Sequence, residues 1–193
     1  MLIFESLNTT TMIATKDETT VPKTLEEFVQ WEFNDDQKYE WNDGELIQFK
    51  GMDKKQVYIY DILNKLFIQK GYWQTGTLVS EYDVMLSGIQ IRRPDIAYLS
   101  SVQIKSAKQG NDEIPKFVVE IISGNDNINK VEAKITEYYN AGLQVVWLIF
   151  PDQQMVHVYT SRRTVKICFE DDICSANPVL PDFEISVATL FAD

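Results

Sequence analysis

The sequence predicts an α/β fold of the α+β kind, a single domain built on a mixed central β-sheet flanked by helices. Three observations predict it. Lys116 to Ile122 and Gln144 to Phe150 are nearly unbroken apolar runs, the pattern of strands covered on both faces. Between them Ile128, Val131, Ile135, Tyr138 and Tyr139 recur at helical spacing and stop at Gly142, so the two runs are expected to be parallel strands joined by a right-handed crossover. Shorter alternating runs separated by turn residues lie on both sides of this unit and read as antiparallel additions to the sheet.

Residues 1–22 mix Thr, Asn, Asp, Glu and Lys without a period and read as a flexible lead-in to a single domain over 23–193. Thr24-Leu-Glu-Glu27 has the spacing of a capping box, and Leu25, Phe28 and Val29 follow at helical steps toward Phe33. Asp43-Gly44 separates Tyr39 to Trp41 from Glu45 to Phe49 as a two-residue hairpin turn does. From Lys55 to Gln69, Val57, Ile59, Tyr60, Leu63, Leu66 and Phe67 return every third or fourth position, and Gly71 closes that helix. Short strands are expected near Tyr72 to Val79, Tyr82 to Leu86 and Ile96 to Leu99, then a polar loop from Ser100 to Pro115. Past the crossover, Pro151-Asp152 turns the chain into strands Met155 to Tyr159 and Thr164 to Phe169. Leu180, Phe183, Ile185 and Leu190 of the tail should dock on the core.

With 45% hydrophobic and 24% charged residues, 193 residues suffice to bury a core without disulfides, which excludes collagen-like, disordered and disulfide-scaffold classes. The longest apolar run, Val145 to Phe150, is far short of the ~20 residues that a membrane-spanning helix needs, and Met1 to Phe4 meets Glu5 at once, unlike a secretory signal. Cys168, Cys174 and the single histidine, His157, are too few for a zinc site. The thiols are expected to be reduced and buried in a cytoplasmic protein, and His157, alternating with Val156 and Val158, to face solvent. A net charge of −11 opposes a polyanionic partner, yet it is unevenly spread. Residues 1–49 hold 3 basic and 11 acidic side chains, residues 50–134 hold 12 and 10, and residues 135–193 hold 3 and 8. Only the middle segment is basic, compatible with a nucleic-acid face or with a solvated surface.

One carboxylate interrupts the apolar run: Glu120 stands between Val119 and Ile121. An isolated charge there costs several kcal/mol unless it is paired, coordinates a cation or stays protonated. A structural ion pair is one reading and a metal or catalytic role is the other. In Arg92-Arg-Pro-Asp95, Pro94 imposes an extended entry, so Asp95 should open a strand with its side chain free to face a site, although Pro-Asp is also a common turn. With Ile128 at zero on a helical wheel, Lys134 falls near ~240°, bordering the apolar stripe, while Lys130 near ~200° lies further out. Taken together, Asp95, Glu120 and Lys134 suit metal-assisted phosphodiester hydrolysis. Two carboxylates can hold Mg²⁺, and an ammonium can orient water and offset charge on phosphate.

Pro94-Asp95, then Phe117-Val-Val-Glu-Ile-Ile-Ser123, Lys134-Ile-Thr-Glu-Tyr-Tyr-Asn-Ala-Gly142 and Val146-Trp-Leu-Ile-Phe-Pro-Asp152, together resemble a bacterial restriction endonuclease family of the Uma-two type, in the PD-(D/E)XK nuclease superfamily. Thr24 to Phe28 and Tyr39-Glu-Trp-Asn-Asp-Gly-Glu45 are similar to that family's N-terminal signature. The resemblance implies a restriction-endonuclease-like core with Asp95 and Glu120 as metal ligands. It also implies that Lys134 is a catalytic lysine moved onto the helix, because Ile122 stands at the usual strand-lysine position. Glu40 matches a further acidic position and joins the expected site. Members commonly carry a histidine near the start of the helix after the first hairpin, where this chain has Lys54-Lys55-Gln56.

The expected activity is therefore Mg²⁺-dependent cleavage of DNA, with Mn²⁺ as a substitute cation and Arg92, Arg93, Lys54, Lys55 and Lys130 meeting phosphates. The partners expected are DNA and a second copy of the chain, with no membrane. Two alternatives stay open: a catalytically silent nuclease-fold module that binds a protein, and hydrolysis of a small phosphorylated metabolite.

Overall fold

The computed structural model describes residues 21–32, 37–49, 54–124 and 126–192, so most of the N-terminal lead-in lies outside the described residues. A six-stranded mixed sheet forms the centre. Its strands are β3 (Gly76–Ser80), β6 (Ile96–Ser100), β7 (Phe117–Ile121), β8 (Val145–Phe150), β9 (Met155–Ser161) and β10 (Thr164–Phe169), in the order β10-β9-β8-β7-β6-β3. Only β7 and β8 run parallel, joined by the helix Ile128–Ala141, and the other neighbours are antiparallel. The mixed sheet and its helical crossover are thus as the apolar runs predict, down to Gly142, whose φ of 96° closes the helix in the left-handed region.

A second, four-stranded antiparallel sheet holds the hairpin β1 (Lys38–Asn42) and β2 (Glu45–Phe49) beside β4 (Val84–Ser87) and β5 (Gln90–Arg92), in the order β2-β1-β5-β4. Asp43 and Gly44 both have positive φ, as the tight turn of the first hairpin requires. The helix α1 (Leu25–Gln30) covers this sheet through Phe28, which packs with Tyr39, Trp41 and Ile91. Thr24 caps α1 by accepting from the Glu27 N–H, but the Glu27 carboxylate reaches back to Lys23 N rather than Thr24 N. The helix ends at Gln30, and Phe33 is outside the described residues.

The two faces of the six-stranded sheet are covered differently. On one side α2 (Lys54–Gln69), the hairpin β11 (Ile173–Ala176) and β12 (Leu180–Ser186), and the short α5 (Val187–Leu190) bury a large apolar core around Leu63, Phe67, Phe117, Trp147, Phe183 and Leu190. The docked tail is therefore a hairpin and a helical turn. On the other side the crossover helix, numbered α4, lays Ile135 and Tyr138 on Ala97, Val118, Val146 and Leu148.

Several expectations are corrected. Tyr72–Gln74 forms a 3₁₀ turn rather than the start of a strand. Strand β5 lies between Leu86 and Ile96, where no strand is expected. The loop expected from Ser100 to Pro115 contains α3 (Ser101–Ala107), capped by Ser100 and Gln103 in a full capping box. His157 does not face open solvent: its ring lies 4.7 Å from that of Phe150, and Nε2 has no hydrogen-bond partner among the described residues. Cys168 and Cys174 are buried free thiols. No helix among the described residues is long and apolar enough to cross a membrane.

Candidate active site

The site forms at a short connection between the two sheets, Arg92 to Asp95, which leaves β5 and enters β6. In the antiparallel ladder Ile96 faces Val119, so one further step sets Asp95 opposite Glu120. Glu120 lies on the sheet face that carries Ala97 and Val118 and looks toward α4. The alternation of β7 sends Val119 and Ile121 to the apolar core and Glu120 to the other side.

Lys134 and Tyr138, one turn apart on α4, both reach Oε1 of Glu120. The Lys134 ammonium is 3.0 Å away and the Tyr138 hydroxyl donates a short hydrogen bond. Lys134 also donates to Oε1 of Glu40 on β1 at 2.9 Å. Glu40, in turn, accepts from the backbone N–H of Arg93 at 2.8 Å and from the Arg92 guanidinium at 3.1 Å. The remaining donors of Arg92 grip both oxygens of Glu137 on α4, at 2.7 and 3.0 Å. The structure therefore brings Glu40, Asp95, Glu120 and Lys134 into one cluster. It adds three groups the sequence reading missed: Arg92 as an interior strap, Glu137 and Tyr138. A fourth is Gln56, near the start of α2, whose Nε2 donates to Oδ1 of Asp95 at 3.0 Å. Oδ2 of Asp95 accepts from the Ile121 N–H at 2.6 Å.

Arg92 is a correction. The residue is 4% exposed and its guanidinium donors are held by Glu40 and Glu137, so it cannot meet a phosphate from that position. Arg93 lies against Asp83 and Lys55 against Asp152, each at 2.5 Å, while Lys54 and Lys130 are exposed.

The electrostatics follow from burial. Burial raises the Asp95 carboxyl, and the charge of Glu120 adds to this, bringing it to about 7. Glu120 is raised as well, because its burial outweighs the help of Lys134. Burial also opposes the charge on Glu40, but Lys134, the Arg93 N–H and Arg92 hold that carboxyl below its usual range. Burial would discharge Lys134, yet Glu120 and Glu40 keep it firmly protonated. Burial and Glu120 push the Tyr138 phenol well above its usual value, so it remains a donor.

Within the cluster, the carboxylates of Glu40, Asp95, Glu120 and Glu137 outnumber the cations Arg92 and Lys134 by two. Of the four, Asp95 alone makes no ion pair among the described residues, and both partners of Glu120 engage Oε1, leaving Oε2 without a hydrogen bond among the described residues. Among the described residues no three His, Cys, Asp or Glu groups gather as a metal cage. Two oxygen donors fit Mg²⁺, which is commonly held by one or two carboxylates and keeps several waters. Outside the carboxyl ends of β7 and β8, a cavity of about 180 Å³ is lined by Lys55, Gln56, Ile121, Ser123, Gly124 and Asp152. Through Gln56 and Ile121 it adjoins Asp95.

A family model described as "Putative restriction endonuclease", Uma2, matches residues 25–188. The chain belongs to the Uma2 family. The resemblance carried by the motif segments between Thr24 and Asp152 is thereby borne out at the level of the family. No curated protein matches the chain. Among solved structures, the chain is similar to a crystal structure titled as a putative nuclease belonging to DUF820 from Anabaena variabilis ATCC 29413. The TM-score is 0.73 at 23% identity, covering 88% of this chain and 98% of that one. This Uma2 chain thus shares a nuclease-like fold.

Proposed function

We propose that this chain is a divalent-cation-dependent endonuclease that hydrolyses DNA phosphodiester bonds. Asp95 and Glu120 would hold Mg²⁺ or Mn²⁺, and Lys134 would stand beside the phosphate as a permanent cation. The observation that carries the reading is the facing pair of buried carboxyl groups Asp95 and Glu120, with Lys134 on Glu120. When bound, the cation supplies Lewis acidity toward a phosphodiester oxygen and toward water.

The chain's own residues do the rest. Because Lys134 stays protonated, its part is to orient water and offset charge that develops on the phosphate, rather than to take a proton. Glu40 fixes that ammonium, and Arg92 with Glu137 fixes Glu40, so α4 is strapped to both sheets around the reacting position. Gln56 and the Ile121 N–H set the orientation of Asp95. Lys54 and Lys130 are the exposed cations suited to phosphates. Lys55 and Arg93 would exchange Asp152 and Asp83 for them.

The test is cleavage of plasmid and single-stranded DNA by pure protein with Mg²⁺ or Mn²⁺, beside Asp95→Asn. Cation-dependent cleavage by wild type alone is expected. Inert wild type across both cations and both DNA forms would sink the enzyme and favour a protein-binding module, for which the net charge of −11 speaks.

A further inference from the structure

Tyr138 belongs by sequence to the apolar stripe of α4, and its ring does pack in the core, with no exposed surface. Its hydroxyl, however, is aimed at a charge. A core tyrosine needs one partner for its O–H, and any backbone carbonyl would serve. This one instead donates to Oε1 of Glu120, the oxygen that also receives the Lys134 ammonium at 3.0 Å. The same ammonium lies 5.9 Å from the centroid of the Tyr138 ring, so phenol, ammonium and carboxylate oxygen form one compact group.

A carboxylate oxygen has two lone pairs. With one taken by Tyr138 and one by Lys134, Oε1 has none to offer, and Oε2 is the oxygen that remains open. We propose that Tyr138 is a positioning residue that clamps the Glu120 carboxylate in one rotamer and presents Oε2, and only Oε2, to the divalent cation. The inference rests on the proposed metal site and adds a role to a residue that touches neither cation nor substrate. Neighbouring Tyr139 supplies the contrast. Its hydroxyl is also buried, on the same helix, yet it is turned to the Val146 backbone and not to a carboxylate.

The experiment is calorimetric titration of Mn²⁺ into wild type, Tyr138→Phe, Tyr139→Phe and Glu120→Gln, with a melting curve for each. Tyr138→Phe keeps the ring over which Lys134 sits and removes only the hydroxyl. Loss of an outer group that orients a metal ligand typically weakens affinity about 10- to 100-fold, and that loss is expected for Tyr138→Phe while it remains folded. Tyr139→Phe should bind as wild type does, and Glu120→Gln should bind nothing. Wild-type affinity in Tyr138→Phe overturns the proposal while leaving the metal site intact. Equal weakening in both tyrosine variants overturns it too, since that would reflect helix packing. If wild type itself takes up no Mn²⁺, or Glu120→Gln binds as well as wild type, the metal site falls and this role falls with it.

Discussion

On the α2 side of β7, Phe117 meets Trp147 and Phe183 at ring separations of 5.2 and 5.9 Å, and Val119 and Ile121 continue the same apolar cluster. On the α4 side of that strand, Val118 is followed by Glu120, held by Lys134 and Tyr138 and facing Asp95. The first environment gains its free energy from area removed from water, which is indifferent to a small rotation of any one ring. The second is costly to bury and gains only if several donors and acceptors keep fixed positions. One five-residue strand therefore carries stability on one face and orientation on the other. Substitutions on the two faces should have separable effects.

The largest separation is expected at the carboxylates. Glu120→Gln and Asp95→Asn should each abolish cation-dependent cleavage and the rise in melting temperature that Mg²⁺ gives to wild type. Without metal at pH 8, Asp95→Asn should melt no lower than wild type, because it removes a charge that burial and Glu120 oppose. Cleavage surviving in Asp95→Asn would break the comparison at its centre.

Next come two substitutions that cross over. Phe183→Ala, on the apolar face, should lose about 3 to 5 kcal/mol of stability in denaturant unfolding, while Mn²⁺ affinity of the folded protein stays at the wild-type value. Lys134→Ala should lose on the order of 10² in cleavage rate and retain Mn²⁺ binding, since lysine is not a ligand. It should also be destabilised by a few kcal/mol, roughly the loss seen when one partner of a buried pair is removed. A Lys134→Ala protein as active as wild type would end its assignment.

A smaller effect concerns pH. The folded chain binds a proton on Asp95 more tightly than the unfolded chain does, with a pKa of about 7 against an ordinary 3.8. The stability contributed by that proton is complete below the unfolded value and is lost as pH rises through about 7. Metal-free wild type should therefore lose stability over that window more steeply than Asp95→Asn. The Mg²⁺-induced shift in melting temperature should grow over the same window as the cation replaces the proton. Parallel profiles for the two proteins would show that Asp95 is not in the environment described. The smallest effect belongs to the surface: Lys130→Ala should change stability by no more than about 0.5 kcal/mol and lower the salt slope of DNA binding by about one.

What could be read beforehand follows the same division. Glu120 stands out because a charge inside a six-residue apolar run violates a strong pattern, and Lys134 follows from the angle it occupies on a helix whose stripe is unambiguous. Glu40 emerges only through family resemblance, since nothing local distinguishes a glutamate in a short hairpin. Arg92 was misjudged because nothing in the sequence says that two adjacent arginines are both drawn inward, Arg92 to Glu40 and Glu137 and Arg93 to Asp83. Tyr138 was legible as core and illegible as a donor, because a helical stripe records burial and says nothing about where a hydroxyl points. Helix α3 escaped for a related reason: its Val102 and Ile104 are 77% and 39% exposed, so no stripe exists, and only Ser100 and Gln103 marked its start.

The contact between Lys134 and Glu40 spans 94 residues of chain. At about 5 to 20 residues per second of synthesis, the glutamate waits roughly 5 to 20 s for its lysine to be made. Until Arg92 arrives midway, the Glu40 carboxylate lacks both of its cationic partners, and Arg92 itself then lacks Glu137 on the unmade helix. The amino-terminal half is thus kept waiting for the carboxyl-terminal half by electrostatics as well as by topology. A chain truncated before α4 would carry both Asp95 and Glu120 and still be unable to set them beside a cationic side chain from that helix.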